Sequence, residues 1–342
     1  MKEQTDKIKN KTAVALGFFD GIHLGHRAVI GEMIKASNEC GLVSSVYTFY
    51  KNPASLFGKS VEVLTPNEER LHILNEMGVQ QVIYDDFEKI MNLEPLEFVE
   101  EVLVKRFNAS RVFCGFNYHF GKGGTADSQV LKDLCGRYGI DVTVVDPVIF
   151  EGEPVSSTRI RKLIKQGDII KANELLGHRF GFSSVIEEGN HIGRLMDTPT
   201  INQKLPENLA RPKFGVYTSI VTVEGEQYAG VTNIGVKPTV GEYNPLSETW
   251  LPLYKGKDLY GKKTDIRLVC FQRPEKKFGS IEELQSAIKN DGKNALQRLH
   301  RMRCSLAKGN VSKTKAPSDE GAVGYADWGS EKVVNISLYV FR

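Results

Sequence analysis

The chain lacks most of what would mark a secreted, membrane-bound or cysteine-stapled protein. Its five cysteines (Cys40, Cys114, Cys135, Cys270 and Cys304) are far apart and form no C-x-x-C pair. That excludes a disulfide framework and a cysteine zinc site as organising devices. No apolar run approaches the length of a membrane span, so no membrane partner is expected. Residues 1–11 are polar and lysine-rich and have no apolar core of the signal-peptide kind, which makes a cytoplasmic setting the expectation. An excess of one charge sign is missing too. With 45 Lys and Arg against 42 Asp and Glu the net charge is +3, which offers nucleic acid no basic field. What is there is an ordinary globular composition, 41% hydrophobic and 25% charged, over 342 residues. That length can build two domains with normal cores.

Chemistry concentrates first in residues 17–26, Gly-Phe-Phe-Asp-Gly-Ile-His-Leu-Gly-His. They follow the apolar run Thr12–Leu16 and precede an amphipathic segment with Ile30, Met33 and Ile34 at helical spacing. The stretch reads as a loop leaving a first strand and entering a first helix. His23 and His26, three apart, fall on one helical face. Gly17, Gly21 and Gly25 let a ligand approach the backbone, and a helix N-terminus favours phosphate. Gly17, Phe18, Phe19, Asp20, His23, Gly25 and His26 are the candidates from this loop.

Strand-like and helix-like segments then alternate to about residue 146. Strands are expected at 42–49, 81–85, 111–114 and 141–145. Thr65-Pro66-Asn67-Glu68 has the form of a capping box opening a helix with Leu71, Leu74 and Met77. Further helices carry Phe98, Val102 and Leu103, and Val130, Leu131 and Leu134. This order predicts a parallel sheet covered by helices, with ligands beyond the carboxyl ends of its strands. Two more loops lie at such ends. Residues 115–124, Gly-Phe-Asn-Tyr-His-Phe-Gly-Lys-Gly-Gly, are glycine-rich and basic; residues 155–161, Val-Ser-Ser-Thr-Arg-Ile-Arg, place Ser157 as the N-cap of a helix bearing Ile160, Leu163 and Ile164. Hydroxyls, free N–H groups and arginine at a helix start suit phosphate. Taken singly, each loop is also compatible with a plain surface joint.

Together the three loops resemble one family. G-x-F-D-G-x-H-x-G-H is similar to the HxGH motif of nucleotidylyltransferases in its flavin-nucleotide form, that of the bacterial bifunctional riboflavin kinase/FAD synthetases. The family's G-x-(N/D)-(F/Y)-x-F-G-K-G and S-S-T-x-x-R loops follow in order. The resemblance implies that Asn117 contacts flavin and nucleotide and that Lys122 can meet a phosphate. It also implies that Arg161 faces the ATP phosphates beside Ser157 and Thr158, with Arg159 an ordinary helical residue. That family often has Asn where this chain has Phe18.

Residues 167–176 are helical in pattern and form a natural boundary. Beyond them residues 214–223, 227–233 and 264–271 read as strands of a small antiparallel domain, a barrel. Ser280-Ile281-Glu282-Glu283 caps a helix, with Ile281, Leu284 and Ile288 on one side, that would pack outside it. Pro199-Thr200-Ile201-Asn202, Asn233 to Thr239, Glu248-Thr249-Trp250-Leu251 and Leu259-Tyr260-Gly261 together resemble the riboflavin kinase module. The resemblance implies that Thr200 and Asn202 hold Mg²⁺ and the ATP phosphates and that Glu248 is the base for the ribityl hydroxyl. Gly193 and Asn233 complete that set. Asp197 stands where the family usually has glycine. A carboxylate about 5 Å from the γ-phosphate, at an effective dielectric near 20, opposes it by roughly 3 kcal/mol.

The expectations are these. Fold: an α/β chain with an N-terminal Rossmann-like nucleotidylyltransferase domain (12–175), a small antiparallel β-barrel riboflavin kinase domain with a C-terminal helix (176–300), and a tail of unassigned role (301–342). Function: phosphorylation of riboflavin to FMN and adenylylation of FMN to FAD, with ATP as co-substrate, Mg²⁺ as cofactor, and a monomer or weak homo-oligomer as the assembly. Three alternatives stay open: an HxGH enzyme with another acceptor, an FAD synthetase with an impaired kinase site, and a non-catalytic flavin-binding regulator. From residue 308 to 321 the tail reads as a linker; 333–341 is strand-like.

Overall fold

A computed structural model describes residues 10–58, 61–188, 198–236 and 245–311, with side chains as far as residue 302 and excepting that of residue 57. The chain forms two compact units. One takes the chain up to Lys162 with Glu174–His178 and Asn208–Ala210; the other takes Leu163–Asn173, Arg179–Glu207 and the chain from Arg211 onward.

The first unit is built on β1 (Thr12–Leu16), β2 (Val43–Phe49), β3 (Gln81–Asp85), β4 (Ala109–Gly115) and β5 (Asp141–Val145). They form one all-parallel sheet in the order β3-β2-β1-β4-β5. Central β1 is buried along its whole length. Its side chains alternate between two cores: Ala13 and Ala15 join one cluster, Val14 and Leu16 the other. That is why the strand has no polar face. The first cluster takes Ile30, Met33 and Ile34 from α1 (Leu24–Cys40) and Ile73, Leu74 and Met77 around α2 (Asn67–Glu76). The second takes Phe98 to Leu103 and residues of α5 (Ser128–Gly136). Two short helices, α3 (Phe87–Ile90) and α4 (Pro95–Phe98), precede a π-type continuation over Val99–Arg106. The chain order reverses between β1 and β4, so the crevice for a ligand opens at their carboxyl ends.

Local readings needed three corrections here. Thr65 does not close a capping box: α2 begins at Asn67, Pro66 is the N-cap without a side-chain bond, and the Thr65 hydroxyl is buried without a partner. The buried stripe of α2 is Arg70, Ile73, Leu74 and Met77 rather than one through Leu71. Ser156, not Ser157, caps α6 (Ser157–Gln166), accepting from Arg159 N at 3.3 Å.

After α7 (Ile169–Leu176) the second unit is a closed antiparallel barrel in the order β10-β11-β12-β9-β8-β13. Its strands are β8 (Gly181–Glu187), β9 (Thr200–Lys204), β10 (Gly215–Val223), β11 (Glu226–Val236), β12 (Pro245–Trp250) and β13 (Lys263–Arg273). A two-strand hairpin, β6 (Ile149–Phe150) and β7 (Glu153–Pro154), belongs to the first unit. The barrel holds fully buried hydroxyls rather than only apolar side chains. Ser219, Thr232 and Thr249 form a hydrogen-bonded chain at 2.7 and 2.9 Å, so each is satisfied. Outside, α8 (Ile281–Val311) sets Ala295 on Val216, Val231 and Trp250. Arg273 donates to both Asp291 oxygens, at 2.7 to 3.2 Å, and pins the helix to β13. Ser280 accepts from Glu283 N at 3.2 Å, but Glu283 reaches Gly279 N instead of closing the box on Ser280. The helix carries the backbone through Val311, into the first residues of the linker expected at 308–321, the rest of which lies outside the described residues. The strand expected at 333–341 lies outside the described residues.

Candidate functional site

The loop after β1 is shaped by three residues with left-handed backbone, Phe19 (φ 53°), Gly21 (φ 87°) and Ile22 (φ 39°). The two non-glycine residues among them are held by burial, at 3% and 0% exposure. His23 then caps α1: its Nδ1 accepts from His26 N at 3.3 Å. That acceptor role fixes the neutral tautomer with the proton on Nε2. The His23 and His26 rings stack with centroids 3.6 Å apart, and Phe19 packs edge-on to His26 at 5.3 Å. Burial pushes His23 down to about 4, the charges of Arg161 and His178 adding to it; burial, then His23, then Arg70 hold His26 well below its ordinary value. Both imidazoles are therefore neutral at pH 7. His26 Nδ1 is buried without a partner.

The glycines here also make room for neighbouring side chains. A Cβ on Gly17 would sit 3.0 Å from the Phe19 ring, one on Gly25 would sit 3.2 Å from the His23 ring, and one on Gly21 would meet Leu64 at 2.8 Å. The room they leave is filled by the protein's own side chains.

Asp20 is 3% exposed and faces inward. One oxygen accepts from Leu64 N at 2.7 Å and Thr65 N at 3.3 Å; the other accepts from Arg161 Nη2 at 2.6 Å. Burial pushes its carboxyl up, while the Arg161 charge and the two backbone donors pull it back. Arg161 Nε also donates to Glu62 O at 2.7 Å, and Ser157 Oγ to Asp20 O at 2.9 Å. Arg161, expected over the ATP phosphates, is in this state a brace between two loops, with Nη1 bearing no hydrogen bond among the described residues. Asp20 and Ser157 are braces as well, and Phe19 is core. Thr158 is exposed at the start of α6. Arg159 is not a solvated helical residue: it pairs with Glu153 at 3.2 Å and donates to Phe150 O and Glu153 O.

At the end of neighbouring β4, Asn117 is exposed, and its carbonyl accepts from His119 Nδ1 at 3.1 Å. Lys122 lies 3.7 Å from Glu94, an exposed pair of small energetic weight. Two supporting residues were missed by sequence reasoning. His178 Nε2 donates to Gly21 O at 2.8 Å. Arg70 donates to the carbonyl of Phe18 at 2.7 Å, and its ring contact with Phe18 is 4.6 Å from guanidinium to centroid. The readable signal for Arg70 was a charge at a core position of the α2 stripe; for His178 there was none.

In the second unit the barrel register builds a row. Asn233 on β11 pairs with Glu248 on β12, which pairs with Asn202 on β9. Directly opposed residues share a face, so their side chains are neighbours on one side of the wall. Thr200 shares that face two residues on. The oxygens Asn202 Oδ1, Asn233 Oδ1 and Thr198 Oγ1 are buried without a partner. Amide and hydroxyl oxygens of this kind suit a hard cation such as Mg²⁺. Among the described residues no cluster of three His, Cys, Asp or Glu side chains offers another metal site. Thr198 is a third residue missed by sequence reasoning. Gly193 and Asp197 lie outside the described residues. A cavity of about 660 Å³ between α8 and strands β10 and β13, with Thr218, Gln272 and Arg298 in its wall, contains none of these residues.

Comparison with known proteins matches the two halves separately. A family model for FAD synthetase covers residues 5–159 and one for riboflavin kinase covers residues 176–299. The bifunctional riboflavin kinase/FMN adenylyltransferase of Listeria monocytogenes is 34% identical over 283 residues, 81% of this chain and 89% of that protein. Its counterpart in Bacillus subtilis is 31% identical over 86% of this chain and 94% of that protein. A crystal structure of a Streptococcus pneumoniae protein named as a macrolide-efflux protein superposes with a TM-score of 0.79 at 27% identity, covering 85% of this chain and 95% of that one. In the present chain no helix among the described residues is long and apolar enough to cross a membrane.

Proposed function

The chain belongs to the bifunctional riboflavin kinase/FMN adenylyltransferase family, and from that premise we propose how its own residues divide the work. It phosphorylates riboflavin to FMN and adenylylates FMN to FAD, using ATP in both steps. Residues 12–175 form the adenylyltransferase domain, residues 176–300 the kinase domain, and the setting is the cytoplasm.

In adenylyl transfer a phosphate oxygen of FMN attacks the α-phosphorus of ATP, the bond to the β-phosphate breaks, and pyrophosphate leaves. The nucleophile is already an anion, so no strong base is required. The demand is for donors aimed at charge on the α-phosphate and leaving group. His23 supplies a neutral Nε2–H, oriented because its Nδ1 is committed to the α1 cap. His26, stacked on it, supplies the second imidazole. Arg161 holds the loop through Asp20 and has Nη1 left for phosphate. Asn117 positions the substrates from the end of β4.

In the kinase step Glu248 takes the proton of the ribityl hydroxyl as its oxygen attacks the γ-phosphorus of ATP, the bond to the β-phosphate breaks and ADP leaves. Asn233 and Asn202 flank it in the row. Mg²⁺, when bound, neutralises phosphate charge; Thr200 and Asn202 would hold it. The rest is positioning, as phosphoryl transfer demands.

The observation that carries this reading is the stacked neutral histidine pair at the start of α1, beside the β1–β4 crevice. The test is to incubate the protein with riboflavin, ATP and Mg²⁺ and separate the flavins by chromatography. FMN and FAD are expected, and His23→Ala with His26→Ala removes FAD while FMN still forms. Equal loss of both products with the fold retained would overturn the division into two sites. FAD made only from added FMN would mean an impaired kinase site. Tight flavin binding without turnover would mean a regulator.

A further inference from the structure

We infer that Arg70 is a positioning residue for adenylyl transfer, which makes the carboxyl end of the sheet tolerant of the nucleotide phosphates by capping its carbonyl oxygens with a buried positive charge. The inference rests on the reading of the first unit as the adenylyl-transfer site.

A parallel sheet directs backbone carbonyls outward at the carboxyl ends of its strands. Those oxygens carry partial negative charge, which opposes an anion placed there. At this end of the sheet one side chain covers two of them. Arg70 Nη1 donates to Phe18 O at 2.7 Å, just beyond β1, and Nη2 donates to Phe49 O at 2.6 Å, the last residue of β2. Nη2 also reaches Asn67 Oδ1 at 2.7 Å. The guanidinium lies over Phe18 at 4.6 Å and Tyr84 at 5.0 Å.

Two features separate this from ordinary bracing. Arg70 is only 1% exposed, yet its hydrogen-bond partners among the described residues are carbonyls, an amide and a phenol, and none is a carboxylate. Its full charge is thus left to act on its surroundings through a poorly screening interior. That field reaches the histidine stack, where the Arg70 charge is one of the causes holding His26 neutral. The other feature is Phe18. Where the family often has a polar side chain, this chain has a ring that stacks on the guanidinium and leaves its donors to the carbonyls.

The test compares Arg70→Met, which removes the charge at similar volume, with Arg70→Lys, which keeps it while losing most of the fork. In FAD formation from added FMN, Arg70→Met raises KM for ATP at least tenfold, with a smaller change in kcat. Arg70→Lys stays within about threefold of the wild-type KM. FMN formation is unchanged in both and serves as the internal control for the rest of the chain. Equal tenfold losses in Met and Lys variants would make Arg70 a structural brace only and overturn the inference, as would an unchanged KM in Arg70→Met. If Arg70→Met does not fold, Arg70→Lys decides alone: a KM within threefold supports the charge, a tenfold rise refutes it. Absence of FAD formation in the wild-type protein would instead refute the underlying functional reading.

Discussion

The His23 cap makes the first unit acid-sensitive in a way that can be calculated. The imidazole is 5% exposed and titrates at about 4 in the folded protein, against an ordinary value of 6.5. In the unfolded chain it takes up a proton between these values and in the folded protein it does not. The unfolded state therefore binds more protons, and stability falls as pH drops. The contribution is fully present above pH 6.5 and is lost as pH falls through the folded value. Between pH 7 and 4.5 one such group removes about 2.5 kcal/mol. His26 shifts in the same direction and adds to the loss. The physical cause is burial of a ring whose Nδ1 is already an acceptor, so protonation also breaks the helix cap. The assay is urea unfolding at pH 7 and 4.5, followed separately for the two units, for wild type and His23→Asn. Asparagine can still cap the helix but does not titrate, so it should shrink the acid loss of the first unit by roughly 2 kcal/mol. An unchanged acid loss in His23→Asn, or a wild-type His23 titrating near 6.5 by NMR, would refute the reasoning.

Two further predictions follow from side chains with defined partners. Asp20→Ala strips Arg161 of its carboxylate and leaves Leu64 N and Thr65 N buried without an acceptor, so the first unit loses about 3 to 5 kcal/mol in denaturant unfolding, with the barrel transition unmoved. Glu248→Gln keeps the shape of the Asn233–Glu248–Asn202 row but cannot accept a proton; FMN formation falls by about 10² to 10⁴ while FAD formation from added FMN stays at the wild-type rate, both read by chromatography.

The sheet of the first unit was legible because its strands carry the signals that decide such folds. Thr12–Leu16 is short and apolar, 81–85 and 141–145 are β-rich, and helical spacing separates them. The barrel was legible only in part. Residues 214–223, 227–233 and 264–271 show runs of β-formers, but β8, β9 and β12 are short, polar and irregular in pattern. They are strands because the barrel closes through them, which is long-range information. Gln203, Ser247 and Thr249 are fully buried there with polar side chains that no hydropathy pattern marks as interior. The Thr65 capping box failed for a related reason. Its spacing is correct, but Asp20, 45 residues earlier, competes for the backbone N–H of Thr65 and draws the residue out of the helix start.

At the candidate site spacing and the family resemblance together pointed to the motif residues, yet neither separates side chains with unpartnered polar atoms from those that hold the loop. Residues 17–26 contain both. His26 keeps its Nδ1 without a partner, and Asp20 is consumed by Leu64, Thr65 and Arg161. Gly17 and Gly25 are there because Phe19 and His23 need the space that a Cβ would take. Phe19 in turn packs edge-on to His26, and His23 stacks face-on to it. The two glycines, the phenylalanine and the two histidines are thus one packing unit, whose product is a pair of imidazoles held neutral and aligned at a helix N-terminus. A Cβ added at either glycine meets a ring, that of Phe19 at 3.0 Å from Gly17 and that of His23 at 3.2 Å from Gly25. An alanine at Gly25 is therefore expected to displace the His23 ring, and a shift of the His23 imidazole resonances by NMR would report it.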